Sequence, residues 1–161
     1  MSNEAMSEIS TLPSLQTIAY MLQSDRAGAA NRRGLQISVK ATTIQSGGRF
    51  NLFEVECPPG FATPLHIHYV ADVAIYVLEG ALAVFWGEDR KEAATGSYLF
   101  MPRGTPHGFR VTGARGARIL HLSVPGGLDK FIHERELWAK TSDLLAAAAR
   151  YKIEIMGPLP D

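Results

Sequence analysis

Apolar and polar residues alternate with a period of two over most of this chain, which indicates β-strands. The first two predicted strands cover residues 35–43 and 49–57, and the Gln-Ser-Gly-Gly stretch at 45–48 between them predicts a hairpin turn. In the second strand, Asn51, Phe53 and Val55 alternate with a set that contains two glutamates. We therefore expect these three residues to face the interior.

The alternation continues through predicted strands at 63–68, 73–78, 81–86, 90–95, 98–101 and 117–124, and through a strand that begins at His107. Residues 73–78 are apolar on both faces, so a second layer is expected on each side of that strand. Helical spacing is confined to residues 14–22 near the start and to 128–138 and 142–151 near the end. The pattern predicts one mainly β domain: a flexible leader (1–13), an N-terminal helix and linker (14–34), a β-barrel (35–125) and a C-terminal helical extension (126–161).

Charge and cysteine content narrow the classes of function. The 161 residues include 16 basic and 16 acidic side chains, so no net charge favours nucleic acid or an acidic membrane surface. Residues 1–13 do not have the pattern of a signal peptide, and no apolar run is long enough to span a bilayer. The single Cys57 cannot form an internal disulfide, and a buried thiol is favoured over a nucleophile there. We expect a cytoplasmic protein.

Three histidines supply the candidate chemistry. His66 and His68 are one residue apart on a predicted strand, so both imidazoles point to the same face. His107 follows a Pro-Arg-Gly-Thr-Pro turn at the start of another strand. Two imidazoles from one strand and one from a second strand suit a compact site for a divalent metal ion.

The histidines stand in two motifs that resemble those of the cupins. The first motif is matched by Gly60, His66, His68 and Gly80, and the second by Gly96, Pro102, Gly104 and His107. Much of the chain is similar to small bacterial quercetinase-like cupins. The resemblance implies a double-stranded β-helix, or jelly-roll, barrel that binds one divalent metal through His66, His68 and His107, and it implies a homodimer.

Two positions depart from the family pattern. Counted back from Gly80, the metal-binding glutamate of the family falls on Val73, and the final asparagine of the second motif falls on Val111. Asp72 is next to the missing carboxylate and is a candidate fourth ligand or base. Strand alternation places Val73 inward and Asp72 outward unless a bulge shifts the register, so a surface aspartate is the alternative.

Further residues are candidates for contact with a small-molecule substrate. The inward Asn51 would orient a substrate or hold a structural hydrogen bond. His121 would act as an acid or base beside the metal, or would simply pack in the sheet. The remaining candidates are apolar and would also serve as ordinary barrel core: Phe53, Val55, Val73 and Phe109.

The sequence predicts a metal-dependent enzyme, and the resemblance implies a dioxygenase-like oxidoreductase. The substrate would be a small aromatic or enolic compound, of flavonol or polyketide type. Neutral imidazoles suit iron, nickel, copper or zinc equally. The alternatives are a cupin that binds a small molecule without metal or turnover, and a cyclase or isomerase, because the loss of the glutamate at Val73 weakens the quercetinase-like interpretation specifically.

Overall fold

Two antiparallel sheets and a small helical layer make up the computed structural model, which describes residues 17–23, 29–30, 34–135 and 141–161. Among these residues, no helix is long and apolar enough to cross a membrane. The elements in chain order are β1 (Ala29–Ala30), β2 (Gln36–Ala41), β3 (Asn51–Cys57), β4 (Leu65–His68), β5 (Asp72–Glu79), β6 (Ala81–Trp86), β7 (Asp89–Ala94), β8 (Tyr98–Met101), β9 (His107–Val111), β10 (Ala117–Val124), α1 (Leu128–Arg135), α2 (Thr141–Arg150) and β11 (Ile153–Gly157).

The six-stranded sheet has the order β1-β2-β3-β10-β5-β8, and the five-stranded sheet has the order β11-β4-β9-β6-β7. Alternate side chains of both sheets point inward and form one continuous apolar core. That core includes Phe53 of β3, Val77 of β5, Leu82 of β6 and Ile119 of β10, none more than 1% exposed. The predicted mainly β jelly-roll barrel is confirmed.

Strand registers agree with the alternation in the sequence. The hairpin around residues 45–48 pairs β2 with β3, with Ile37 opposite Val55. In β5, Val73 and Val77 are fully buried, whereas Tyr76 on the other face is 44% exposed. The prediction that Val73 points into the barrel is therefore correct. The outward side of β5 belongs to an apolar sheet face that also carries Tyr98 and Phe100 of β8.

The predicted N-terminal helix is wrong over the described residues of its range. Residues 17–23 have no regular secondary structure, and Ile18 and Met21 are each 79% exposed. Helical spacing stabilises a helix only when its apolar face is buried against something, and here these side chains meet solvent. The first residues of the predicted helix, Ser14 to Gln16, lie outside the described part, as does the predicted leader.

The C-terminal extension contains the predicted helices and, in addition, an unpredicted strand. The helices α1 and α2 match the predicted segments, except that residues 136–138 lie outside the described part. β11 follows α2 and pairs antiparallel with β4, with Ile153 opposite His68 and Ile155 opposite His66. A purely helical extension is therefore wrong. β11 occupies the edge of the histidine strand, which would otherwise be unpaired on that side.

Candidate metal centre

The histidines come from neighbouring strands of the five-stranded sheet. His66 and His68 alternate with Ile67 along β4 and therefore share one face. His107 is the first residue of β9 and is directly opposite His66 in the antiparallel pair. On its other side, His107 is paired with Trp86 of β6. The three imidazoles meet because one strand supplies two of them and its neighbour supplies the third.

A turn of residues 102–106 fixes the start of β9. Gly104 has a φ of +81°, a conformation that other residues adopt at a cost, and its backbone N–H donates to the His68 carbonyl at 2.8 Å. The Pro106 carbonyl accepts from the N–H of Gly87 at 3.2 Å. The turn is therefore attached both to the strand that carries His68 and to the loop after β6. This explains why the second motif needs a glycine in the turn.

Backbone carbonyls set the tautomers of two ligands. His66 Nδ1 is 2.8 Å from the Pro64 carbonyl oxygen, and His107 Nδ1 is 2.9 Å from that of Thr105. Because a carbonyl can only accept, Nδ1 of each ring must be the donor, and in the neutral ring Nε2 then carries the lone pair. Histidines that bind a metal through one ring nitrogen commonly donate the N–H of the other nitrogen to a backbone carbonyl in this way. The sequence alone did not single out Pro64, which directly precedes β4, or Thr105, which lies in the 102–106 turn.

Burial keeps the rings neutral. Burial, and then His107, lower the pKa of His66 to about 4, against the opposing effect of the Pro64 carbonyl. Burial, followed by the other imidazoles, lowers the pKa of His68 to about 2. Burial also lowers the pKa of His107. At neutral pH, all three therefore have the uncharged form that binds a metal ion.

The geometry fits a divalent metal ion. One nitrogen of each of His66, His68 and His107 lies within 4.8 Å of those of the other two. The ring centroids are 4.5 Å apart for His66 and His107, 5.1 Å for His66 and His68, and 5.5 Å for His68 and His107. Since metal–imidazole bonds are about 2 Å long, small ring rotations suffice to place all three around one ion. A set of three nitrogens suits iron, nickel, copper or zinc.

Asp72 does not join this cluster. Its carboxylate accepts hydrogen bonds from the backbone N–H of Arg103 at 2.9 Å and from the Arg103 guanidinium at 3.0 and 3.1 Å. Hydrogen bonds from Arg103 lower the pKa of Asp72 to about 2. The interpretation of Asp72 as a fourth ligand or base is therefore corrected. The register of β5 turns Asp72 away from the interior, and on the outside of the barrel it pairs with Arg103 of the 102–106 turn.

Of the two interpretations of Asn51, the structure favours the structural hydrogen bond over contact with a substrate. The side chain is fully buried. Its Nδ2 donates to the Ala41 carbonyl at 3.3 Å and to the Thr43 hydroxyl at 3.2 Å, and its Oδ1 accepts from the N–H groups of Gly127 and Asp129 at 2.9 and 3.3 Å. The amide therefore joins β3 to the loop after β2 and to the first turn of α1.

The apolar candidates are buried in the main core. Phe53, Val55, Val73 and Phe109 all belong to the core cluster of the barrel, and none is more than 9% exposed. Val73, at the position of the family's glutamate, is fully buried and offers no polar atom. Cys57 is also buried, which raises its pKa to about 12 and keeps the thiol protonated. Its burial agrees with the structural interpretation of this residue.

His121 is on β10 in the opposite sheet and points into the barrel. It is paired with Phe53 of β3 and with Ile75 of β5, and its ring centroid is 6.0 Å from that of Phe53. Burial, followed by His107 and His66, lowers its pKa to about 4, while its own backbone acts in the opposite direction. A fourth neutral imidazole therefore faces the cluster from across the barrel.

Comparisons with known proteins identify the domain that carries these histidines. The sequence matches the model of the cupin domain over residues 53–124, a range that includes His66, His68, His107 and His121. It is 29% identical over 114 residues to quercetin 2,3-dioxygenase of Bacillus subtilis (strain 168) and 32% identical over 82 residues to an uncharacterised protein of Methanocaldococcus jannaschii. A solved structure from Thermus thermophilus has a TM-score of 0.57 at 27% identity and is covered over 98% of its length by 66% of this chain.

The similarity to the sequence relatives is partial in length. The matched region is 70% of this chain but only 33% of the Bacillus dioxygenase, and it is 51% of this chain and 66% of the Methanocaldococcus protein. This chain therefore spans about a third of the length of the Bacillus dioxygenase.

Proposed function

Because the chain belongs to the cupin superfamily, we propose that it is a metal-dependent enzyme of the dioxygenase type. His66, His68 and His107 would hold one divalent ion of iron, nickel, copper or zinc. The observation that carries the proposal is the convergence of three neutral imidazoles, two of which are oriented by backbone carbonyls.

The substrate class that we propose is a small aromatic or enolic compound with an oxygen next to the reacting carbon. When bound, the ion would supply Lewis-acid and redox chemistry to such a substrate. The histidines would keep it in place, and the aromatic side chains of Phe53 and Phe109 would give the interior an apolar wall that excludes water. The similarity to a quercetin 2,3-dioxygenase supports this class.

Metal analysis of purified protein tests the site. We expect about one equivalent of divalent metal in the native protein after reconstitution, and loss of that metal in His107→Ala, because two imidazoles from one strand are too few ligands for tight binding. His133→Ala is the matched control, since His133 is exposed on α1. Equal metal in His107→Ala and native protein would contradict the site.

Oxygen uptake tests the reaction. We expect the metal-loaded native protein to consume oxygen with 3-hydroxyflavone and to be inactive with 3-methoxyflavone, which has no enolic hydroxyl. Full metal content with no oxygen uptake would favour the second candidate function, a cupin that binds a small molecule or acts as a cyclase or isomerase. Val73 favours that candidate, because it replaces the carboxylate that serves as a proton acceptor in quercetinase-like relatives.

We also propose that two copies form a homodimer in the cytoplasm. The outward face of β5 and β8 exposes Tyr76, Tyr98 and Phe100 at 44%, 65% and 56%, and Leu120 of β10 lies beside Tyr76. We propose that a second copy of the chain covers this face, because a two-fold axis would place identical rows of aromatic side chains against each other. The chain has no net charge that would favour a charged partner instead. The single, buried Cys57 suits a reducing compartment.

Sedimentation analysis tests the dimer. Phe100→Glu should shift the protein to a monomer, because the substitution places a charge within the proposed apolar interface. Ile44→Glu is the control, since Ile44 is 69% exposed on the turn between β2 and β3, away from this face. A native monomer, or an unchanged dimer in Phe100→Glu, would refute this interface.

A further inference from the structure

His121 contains an atom that the packing of the barrel does not explain. Among the described residues, only two buried side-chain nitrogen or oxygen atoms have no hydrogen-bond partner in the protein, Arg118 Nε and His121 Nδ1. Arg118 is on the outward face of β10, where its guanidinium forms ion pairs with Glu54 and Glu79. Of these two atoms, His121 Nδ1 is the one on the inward face of the sheet.

The other inward polar groups of the same sheet are already engaged. Asn51 uses its amide in four hydrogen bonds to the protein. Ser123, two residues after His121 on β10, is 1% exposed and donates to the Pro125 carbonyl at 3.4 Å. Burying a hydrogen-bonding nitrogen without a protein partner destabilises the fold, so a sheet that satisfies its other polar groups has no structural reason to retain this one.

The location of His121 relates it to the metal centre. It shares the inward face of the six-stranded sheet with the core residues Phe53 and Ile75, and the five-stranded sheet across the barrel carries His66, His68 and His107. The same sheet carries Val73, where the cupin pattern has a carboxylate, and Val73 lies opposite Ser123 in the strand next to His121. The six-stranded sheet of this chain thus lacks the carboxylate of the cupin pattern and has His121 as an inward polar group.

We propose that His121 binds the substrate: its Nδ1 forms a hydrogen bond with the enolic oxygen of a molecule held at the three-histidine cluster. The inference rests on the proposed function, since it assumes a metal-bound enolic substrate. A neutral imidazole suits either state of that oxygen, because it accepts from a hydroxyl in one tautomer and donates to an enolate in the other. The surrounding Phe53 and Ile75 are apolar, so the hydrogen bond forms away from competing groups.

Binding of maltol, a small hydroxypyranone, to zinc-loaded protein tests this role without turnover, because zinc is redox-inert. The variants are His121→Phe, which keeps a ring against Phe53 but has no polar atom, and His121→Gln, which retains a hydrogen-bonding amide. Isothermal titration gives the dissociation constants. We expect maltol to bind about ten-fold more weakly to His121→Phe, the loss that corresponds to one hydrogen bond, and His121→Gln to recover most of the affinity.

Two further measurements separate this inference from the metal site itself. Zinc content should be the same in the native protein and both variants, because His121 is not among the three clustered ligands. The melting temperature of His121→Phe without maltol should equal or exceed that of the native protein, since the substitution removes a buried unpaired nitrogen.

The outcomes are distinct. Full zinc content with equal maltol affinity in native and His121→Phe protein would overturn the role of His121 and leave the metal centre intact. Absence of maltol binding to zinc-loaded native protein would also overturn it, because the enolic ligand class would be wrong. Failure of the native protein to bind zinc would instead refute the proposed metal function on which the inference depends.

Discussion

Replacing Asn51 by alanine would distinguish a structural residue from a substrate ligand. The side chain is fully buried and makes four hydrogen bonds: one donated to the last residue of β2, one donated to the loop after it, and two accepted from the beginning of α1. Alanine leaves the N–H groups of Gly127 and Asp129 without this acceptor and leaves the Ala41 carbonyl without this donor. The variant therefore loses the hydrogen bonds that join β3 to residues 41–43 and to the start of α1.

The expected cost follows from these contacts. Each buried group left without its partner costs about 1–3 kcal/mol, and two of the four hydrogen bonds are long, at 3.3 Å. We therefore expect Asn51→Ala to lower the free energy of unfolding by roughly 3–5 kcal/mol, a large part of the roughly 5–15 kcal/mol that stabilises a typical domain. For a chain of this length, the melting temperature should fall by about 10 °C.

Urea denaturation followed by circular dichroism measures this loss. Ser123→Ala is the matched control, because Ser123 lies directly opposite Asn51 on β10 and is equally buried but makes one long hydrogen bond. We expect the control to lose about 1 kcal/mol or less. If Asn51→Ala unfolds at the native urea concentration, or if both variants lose the same stability, the hydrogen-bond network around Asn51 is not what stabilises this region. Unchanged stability with lost maltol binding would restore Asn51 as a substrate ligand.

Two further predictions follow from ionisable groups. Asp72→Ala should retain full metal content in elemental analysis, because its carboxylate is bound to Arg103; loss of the metal would contradict the register of β5. Metal-free protein should lose stability as the pH falls from about 6.5 toward about 4, because His66 and His121 have pKa values of about 4 when folded and bind protons first when unfolded. Urea midpoints that stay constant over this range would show that these imidazoles are not buried as neutral groups.

The predictable features were those with a strong local pattern. Period-two alternation gave the correct inward set in β3 and β5, because a buried face requires every second side chain to be apolar. The same rule placed Asp72 outside, where the structure pairs it with Arg103. The histidine cluster was predictable for a similar reason, since the spacing of His66 and His68 fixes their common face.

Features that depend on tertiary contacts were missed. The helical spacing at 14–22 was ambiguous, because periodicity shows which side chains share one face but does not show whether that face is buried. Ile18, on the predicted apolar face, is exposed. β11 does have a sequence signal: Ile153 and Ile155 alternate with Glu154 and Met156. The strand is short and follows an Ala-rich helix, and only its partner β4 identifies it as part of the sheet.

The supporting contacts of the site explain why a C-terminal segment matters to a cluster formed far earlier in the chain. β11 pairs with the whole of β4, and Leu159 beyond it packs with Ala83 and Phe85 of β6. A Cβ at Gly108, next to His107, would lie 2.6 Å from Leu159 Cδ2 and 2.9 Å from the Pro64 carbonyl oxygen. Glycine at 108 thus lets the C-terminal segment and the Pro64 turn approach the start of β9 closely. The C-terminal residues therefore pack against both strands that carry the three histidines, so the barrel and its extension together form the candidate metal site.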